Sequence, residues 1–338
     1  MEFDLTDIQA AWRDKGAELG RDLGLRHDPG RLEHRSGGTA AAAVVMGAGR
    51  IGLLDPVADL VGIAAAVEAM ARESPAAAVT FALHSGTALA VAGDERFSAF
   101  FRGEAVAAVG LSSDDMPVEQ EGRLSGRAPW VAPLTERGVA IVAPRSGGAR
   151  TAYAVTLEMP GVSVEAVHTA GLDGLVCGHL TLHNVHGTPI GATRPIMTRI
   201  RVLMAAAGLG IGTRALREAL ATARAAHTAA AGEQTVQGLL ADAATELDAA
   251  MMMVWKAASA PEPSLGDASM AKLAATSAAQ RAVERATQVV GADSFQRGHV
   301  IERLAQDVRA LELFAGRTEA LREAVAEAVL PHASPRSS

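Results

Sequence analysis

The sequence has little cysteine and no dense basic cluster. One cysteine, Cys177, in 338 residues excludes an internal disulfide framework and is typical of a reducing cytoplasm. A net charge of -7 without basic runs makes nucleic acid and anionic membrane surfaces poor partners. Apolar runs such as residues 203–212 are too short to span a bilayer, and the N-terminal residues lack a signal-peptide core. These absences predict a cytoplasmic protein that binds neither nucleic acid nor a membrane.

Aromatic residues are also few, at 3% of the chain, so the core must be built from alanine, valine and leucine. Small side chains favour closely packed helices, and helical periodicity fills residues 1–102 and 193–330. In residues 103–192 the apolar period changes to two, in short runs between Gly, Pro and Asp turns. The chain is therefore predicted to be mainly α with a central β domain. We expect an N-terminal helical domain (1–102), an antiparallel β-barrel (103–192), a C-terminal four-helix bundle (193–330) and a disordered tail (331–338).

Within these regions the periodicity predicts individual helices. The N-terminal region has two such segments at 57–72 and 76–91, and Thr6 followed by Gln9 is a capping-box signature. The four bundle helices are expected at 196–229, 233–260, 267–291 and 299–329.

A glycine motif at residues 47–52, GAGRIG, has the spacing of a dinucleotide-binding loop. Such a loop must end a strand and open a helix whose first amides face the pyrophosphate. The preceding run is mostly alanine, a weak strand former, and Pro56 would break a helix that began at Gly49. We interpret the motif as a glycine turn before a helix, without a role in binding a dinucleotide.

The order of the three regions and the sequences of several segments resemble the acyl-CoA dehydrogenase family. The resemblance covers nearly the whole chain and rests on FDLTDIQAAWRD, LSGRAPWVAPLTERGVAIVAP, GLDGLVCGHLTLHNVHGTPIG, RVLMAAAGLGIGTRALREAL, MAKLAATSAAQRAVERATQVVGADSF and VIERLAQDVRALELFAGRTEALREAV. It implies a flavoprotein oxidoreductase that holds FAD and acts on an acyl-CoA or acyl-carrier thioester. It also implies a homo- or hetero-oligomer with a related family member.

The resemblance places the catalytic base at two positions that carry no carboxylate here. In the family a carboxylate takes the α proton of the thioester while the β carbon passes a hydride to the flavin. The usual glutamate precedes a glycine and a threonine, and that place reads Phe314-Ala315-Gly316-Arg317. A minority of the family carries the base at the head of the first bundle helix, and Ile200 stands there. The catalytic residue of this chain is therefore unknown from the sequence.

The resemblance also assigns five cofactor-binding positions, namely Ser112, Trp130, Gln288, Gly291 and Arg317. Trp130 matches the tryptophan that packs near the flavin ring, and Ser112 lies where the family has a Thr-Glu-Pro turn. Gln288 and Gly291 match the segment that crosses to a neighbouring subunit's cofactor. The arginine that pairs with the pyrophosphate falls near Ala226, and Arg317 could supply the missing positive charge.

Other interpretations stay open at this point. Trp130 could simply pack in the interior of the barrel. His183 and His186 are residue types that bind metals, but no cysteine stands beside them in the sequence, so we predict no metal site. Three functions remain. The first is an active FAD enzyme that uses another base or a reaction that needs none. The second is a partner subunit of a related chain that supplies the glutamate. The third is a scaffold that has lost both the base and FAD.

Overall fold

The computed structural model describes residues 4–26, 38–111, 116–145, 151–225 and 233–330. Within these ranges the helices are α1 (Asp7–Arg26), α2 (Gly38–Arg50), α3 (Leu60–Glu73), α4 (Pro75–Ala90), α5 (Ser98–Phe101), α6 (Thr193–Ala225), α7 (Gln234–Ala258), α8 (Leu265–Val290), α9 (Val300–Leu313) and α10 (Thr318–Val329). The strands are β1 (Val106–Gly110), β2 (Val118–Gln120), β3 (Arg123–Val131), β4 (Gly138–Val142), β5 (Thr151–Thr156), β6 (Val162–Val167), β7 (Cys177–His186) and β8 (Thr188–Ala192). The order of helices, strands and helices confirms a mainly helical fold with a central β region.

The N-terminal helices begin where the sequence offers caps. The Thr6 and Gln9 side chains each accept the other's backbone N–H, which is the predicted capping box of α1. The Asp59 carboxylate accepts the Gly62 N–H at 2.7 Å, so α3 begins at Leu60 rather than at residue 57. The next helix, α4, is buried on nearly every side and forms the centre of this layer.

The glycine motif lies inside α2 and not at the end of a strand. Gly47 and Gly49 are helical, and the turn follows them at Gly52, where φ is 69°. A Cβ built on Gly49 would lie 2.8 Å from the Arg102 carbonyl oxygen, so this glycine allows α2 to approach neighbouring backbone. We interpreted these glycines as a turn that precedes a helix, and this was wrong, because Gly47 and Gly49 lie within a helix and the turn comes after it. The glycines are packing positions in a helix that ends before the turn.

The β region consists of two open sheets, with strand orders β1-β4-β5-β8 and β2-β3-β7-β6. The prediction of an antiparallel barrel is not met, since neither sheet closes within the described residues and β1 pairs with β4 in parallel. The physical reason is that β2 and β3, which lie between β1 and β4 in sequence, belong to the other sheet. The chain therefore connects β1 to β4 by a crossover, and a crossover allows the two strands to run parallel. The sheets share an apolar cluster that includes Leu124, Leu180 and Leu182.

The C-terminal helices pack around α6, whose residues from Ile200 to Gly212 are buried without interruption. This is the one described helix that is long and apolar enough to cross a membrane, and 83% of its most apolar window is buried within the protein. The fourth predicted bundle helix is in fact two helices, α9 and α10, with a break at residues 314–317. The domain boundaries at residues 102 and 192 stay predictions, and the predicted tail lies outside the described residues.

Candidate active site

The break between α9 and α10, residues 314–317, is called the elbow here. It contains the position that the resemblance assigns to the catalytic base. Ala315 is buried and has φ of 58°, and Gly316 follows with φ of 111°. A left-handed conformation is unusual for alanine, so the surrounding contacts must fix it.

Two buried cations from other helices make those contacts. Arg201 on α6 donates from Nε to the Ala315 carbonyl oxygen at 3.0 Å and from Nη1 to Ser269 Oγ at 2.8 Å. Lys272 on α8 donates from Nζ to the carbonyl oxygens of Gly316 at 2.8 Å and Glu312 at 3.2 Å. The last carbonyls of a helix have no partner within it, and Lys272 supplies one for Glu312 in the last turn of α9. The other two bonds go to carbonyls of the elbow itself.

The electrostatics of this arrangement are unusual, because Lys272 is 1% exposed and Arg201 is 7% exposed. No ion pair with a carboxylate joins either cation among the described residues. Burial, followed by repulsion from Arg201, lowers the pKa of Lys272 to about 7, although attraction to Glu312 acts in the other direction. Burial also lowers the pKa of Arg201.

Glu312 is the carboxylate nearest to Ala315 in sequence, and it already has hydrogen-bond partners. It accepts the Thr318 hydroxyl at 2.7 Å and the Gln280 amide at 3.0 Å. The Thr318 hydrogen bond, with smaller contributions from Gln280 and Lys272, lowers the pKa of its carboxyl. Glu312 therefore ties α8 to the start of α10, and its geometry gives no support for a role as the missing base.

The second base position lies beside the first. Ile200 is buried, and its side chain fills the space above Gly86 on α4, where a built Cβ would lie 2.8 Å from Ile200 Cγ1. Because the adjacent Arg201 bonds to Ala315, the head region of α6 and the elbow meet at one place. The two positions that the resemblance assigns to a base therefore lie on segments joined by the Arg201 hydrogen bond, and both carry apolar side chains.

Trp130 is near the end of β3, where the pairing with β7 shifts register between Ala128 and Val131. Its φ is 54°, and its backbone N–H donates to His179 Nδ1 at 3.2 Å. The indole ring contacts the His179 ring in an edge-to-face arrangement. The side chain is 51% exposed, so the alternative that it packs the interior of the sheets does not hold. A bulge of this kind turns a side chain away from the regular face of a strand.

The remaining predicted cofactor positions that the structure describes lie at the ends of helices. Gly110 at the end of β1 lies against Val131, which brings the chain just before Ser112 next to Trp130. Ser112 itself and Ala226 lie outside the described residues. Gln288 is exposed at the end of α8, and Gly291 caps that helix with φ of 75°. Arg317 is exposed at the start of α10. Their roles stay predictions.

The residues considered for other chemistry have ordinary surroundings. His183 and His186 are exposed on β7, and no group of three or more His, Cys, Asp or Glu side chains converges within the described ranges. Cys177 is buried, which raises the pKa of its thiol to about 11. It is a small buried side chain, as expected, and not a nucleophile.

Sequence reasoning missed Arg201 and Lys272. A signal was present for Lys272, because it lies on the stripe of buried alanines formed by Ala268, Ala271 and Ala275. A charged residue on the buried stripe of a helix is rare unless it has a specific partner. The partners could not be read, because they are main-chain atoms of a segment about 40 residues away.

A helical layer, paired sheets and a bundle whose last helix is bent at the elbow define the class of acyl-CoA dehydrogenase-like folds. A family model described as the acyl-CoA dehydrogenase C-terminal domain matches residues 190–330. Butyryl-CoA dehydrogenase of Megasphaera elsdenii superposes with a TM-score of 0.82 over 97% of this chain and 99% of that one, at 19% identity. A chain in the structure of the electron transferring flavoprotein of Acidaminococcus fermentans superposes with a TM-score of 0.86 over 98% of this chain and 100% of that one, at 20% identity.

Curated relatives point the same way. The 3-sulfinopropanoyl-CoA desulfinase of Paraburkholderia xenovorans is 29% identical over 253 residues, 65% of this chain and 64% of that protein. The mitochondrial short-chain specific acyl-CoA dehydrogenase of Rattus norvegicus is 27% identical over 226 residues, 60% of this chain and 55% of that protein. The match thus spans less than two thirds of either relative. Residues 190–330 thus match the C-terminal domain of the acyl-CoA dehydrogenase family, and the chain as a whole has the fold of these enzymes.

Proposed function

We propose that this chain is a FAD-binding subunit of a cytoplasmic acyl-CoA dehydrogenase-type oxidoreductase, acts on an acyl thioester and has no catalytic carboxylate of its own. One observation carries the proposal. The elbow keeps a specific backbone conformation, held by two buried cations, although the side chain at position 315 is only a methyl group. This supports the proposal, because a backbone held in this way would give the side chain at position 315 a fixed direction, and no carboxylate stands there.

The described residues fit a flat aromatic cofactor. Trp130 exposes half of its surface in a conformation that the bulge and the His179 hydrogen bond fix, as a stacking partner requires. Arg317 supplies a free positive charge at the start of α10 for a phosphate. A bound flavin would accept a hydride from the β carbon, and this chain's part is to hold the thioester beside it and exclude water.

An oligomer with a related chain would supply what this chain lacks. Phe295, which follows Gly291, is 77% exposed, and Leu313 beside the elbow is 61% exposed. Large apolar side chains at such exposure favour burial against another subunit. In this arrangement the related chain carries the glutamate in its own site, and Gln288 with Gly291 of this chain complete the cofactor site across the interface.

The substitution Ala315→Glu tests the proposal directly. A glutamate there requires no new backbone strain, because Ala315 already has a positive φ. General-base catalysis is worth about 10²–10⁴ in rate, so we expect acyl-CoA oxidation with an artificial electron acceptor to rise by at least the lower value. The control Ala320→Glu adds the same charge on the exposed face of α10 and should leave the rate unchanged.

The assay needs excess FAD and is repeated with the related chain co-expressed, with oligomeric state followed by sedimentation. Activity of the wild-type chain alone would show that a different base exists. An Ala315→Glu protein that binds FAD and thioester but stays inactive would refute the family geometry. Absence of flavin binding in every form would leave the scaffold hypothesis.

A second candidate is a flavoprotein reaction on a thioester that needs no α-proton base. It is favoured by the similarity to a 3-sulfinopropanoyl-CoA desulfinase, whose name describes the loss of a sulfinate group rather than of two hydrogens. Incubating the wild-type protein with 3-sulfinopropanoyl-CoA and measuring released sulfite distinguishes this candidate. No sulfite above the level of the protein-free control would reject it for that substrate.

A further inference from the structure

We propose that Lys272 and Arg201 are positioning residues, which fix the backbone at Ala315 and thereby the direction in which the side chain at position 315 leaves the elbow. The inference rests on the proposed function for its catalytic meaning, but its structural content stands on the contacts of the elbow alone.

The first step is that the contacts are distributed over the whole bend. The two cations bond to the carbonyl oxygens of Glu312, Ala315 and Gly316, which lie before, at and after the position of interest. A built Cβ on Gly316 would lie 3.1 Å from Arg201 Nη2, so the guanidinium also covers the face of the bend. The backbone therefore cannot rotate at position 315 without breaking at least one of these bonds.

The second step is that the two cations come from a rigid base. Arg201 and Lys272 are on α6 and α8, which pack closely where Gly212 of α6 faces α8, since a Cβ built on Gly212 would lie 3.0 Å from Ala279 Cα. Ser269, one turn before Lys272, holds the Arg201 guanidinium from the side. Both donors thus come from closely packed helices, and Arg201 is in addition held by Ser269, as a residue that supports a functional group requires.

The third step is that ordinary stabilisation does not account for these side chains. A buried charge is costly unless it is paired, and an apolar residue in its place is often neutral or better for stability. Arg201 lies close enough to lower the pKa of Lys272, and Glu312 accepts Thr318 and Gln280 instead of forming an ion pair with it. What the cations provide is the conformation of the elbow.

The experiment compares Lys272→Met, Arg201→Met and Arg201→Lys in the full-length chain with excess FAD. Arg199→Gln is the matched control, because it removes a half-buried cation two residues before Arg201 whose hydrogen bond goes to the Pro195 carbonyl of α6 and not to the elbow. Amide hydrogen exchange of a peptide covering the elbow is measured, with peptides of α3 and α4 as internal references. We expect exchange at the elbow to rise about tenfold or more in both methionine variants, with partial rescue in Arg201→Lys and no change in Arg199→Gln.

The same substitutions in the Ala315→Glu background give the catalytic readout. We expect kcat to fall at least about tenfold with little change in KM, because a displaced base weakens chemistry more than binding. In Lys272→Met the acid limb of the pH–rate profile should also move up by about one pH unit, since a cation near the new carboxylate is removed. The shift of the limb reports the lost charge, whereas the fall in kcat at little-changed KM reports the displaced base, which a purely structural role would not produce.

The outcomes separate the two proposals. Elbow exchange equal to wild type in Lys272→Met and Arg201→Met overturns the positioning role, whatever the activity. Faster elbow exchange with an inactive, flavin-loaded Ala315→Glu protein supports the positioning role and refutes the proposed function. If a methionine variant fails to fold, Arg201→Lys and Lys272→Arg decide by the same exchange measurement, and unchanged exchange in both counts against the inference.

Discussion

Gly208 and Gly210 give a matched test of how closely α6 packs against its neighbours. A Cβ built on Gly210 lies 2.3 Å from the Glu68 carbonyl oxygen and 2.6 Å from Ala71 Cβ, both on α3. A Cβ built on Gly208 has its nearest atoms at 3.5 Å, which is ordinary contact. Gly210→Ala must therefore push α6 and α3 apart, whereas Gly208→Ala fits the space that exists.

The magnitudes follow from two opposing effects. Either substitution removes the penalty of a helical glycine, about 1 kcal/mol. Gly208→Ala keeps most of this gain, so we expect stabilisation by about 0.5–1 kcal/mol. Gly210→Ala adds an overpacking cost of about 1–3 kcal/mol or more, because the obstacle is backbone and cannot rotate away. The free energies of unfolding of the two variants should therefore differ by about 2 kcal/mol. If the overpacking cost is near its upper value, Gly208→Ala is more stable and Gly210→Ala less stable than the wild type.

The assay is urea denaturation followed by far-ultraviolet circular dichroism, with all three proteins at the same concentration and with the same flavin content. The difference in midpoint between the two variants is the measured quantity, since it cancels errors common to both. Equal midpoints, or a Gly210→Ala protein that is more stable than Gly208→Ala, would refute the close approach of α6 to α3.

Two further predictions concern the buried layer and the cofactor. His84 accepts the Ala107 N–H, and burial lowers its pKa from 6.5 to about 4. Because the unfolded state binds this proton at higher pH than the folded state, the free energy of unfolding should fall by up to about 3 kcal/mol as pH drops from 6.5 to 4. In His84→Leu the number of protons taken up on unfolding in this pH range should be smaller by about one. Trp130→Ala and Arg317→Ala should each weaken FAD binding in a titration without lowering the melting temperature, whereas Arg322→Ala on the exposed face of α10 should not. Unchanged FAD affinity in both would contradict the assigned cofactor positions.

The sequence predicted the helical and β regions well because hydrophobic periodicity is a local property. Residues 60–73 and 75–90 bury the expected apolar stripes and form helices close to the predicted bounds. The pairing of strands is not local. Nothing in the alternation of residues 106–110 or 138–142 shows that these strands lie side by side in parallel, so the barrel prediction failed there.

The elbow shows the same limit at the candidate site. The apolar pattern of residues 299–329 runs through Phe314 and Ala315, and only Gly316 hints at a break. Lys272 bonds to the Glu312 carbonyl in the last turn of α9 from 40 residues away, and Arg201 bonds to the Ala315 carbonyl just beyond the helix. The assignment of this position as a candidate base site stays a prediction of the resemblance, and the residues themselves predicted a single continuous helix.

The cost of that arrangement bears on which of the three functions fits the chain. If the bundle served only as a scaffold, an apolar residue at position 272 would avoid burying an amine whose pKa is already lowered to about 7. The elbow could then continue as helix, and Ala315 would leave its unfavourable positive φ. A chain that instead carries Arg201, Lys272 and a strained alanine bears a stability cost for one local conformation. Such costs are typical of functional sites, where geometry matters more than stability. The elbow therefore favours a subunit whose site still receives a substrate over a scaffold that has lost one.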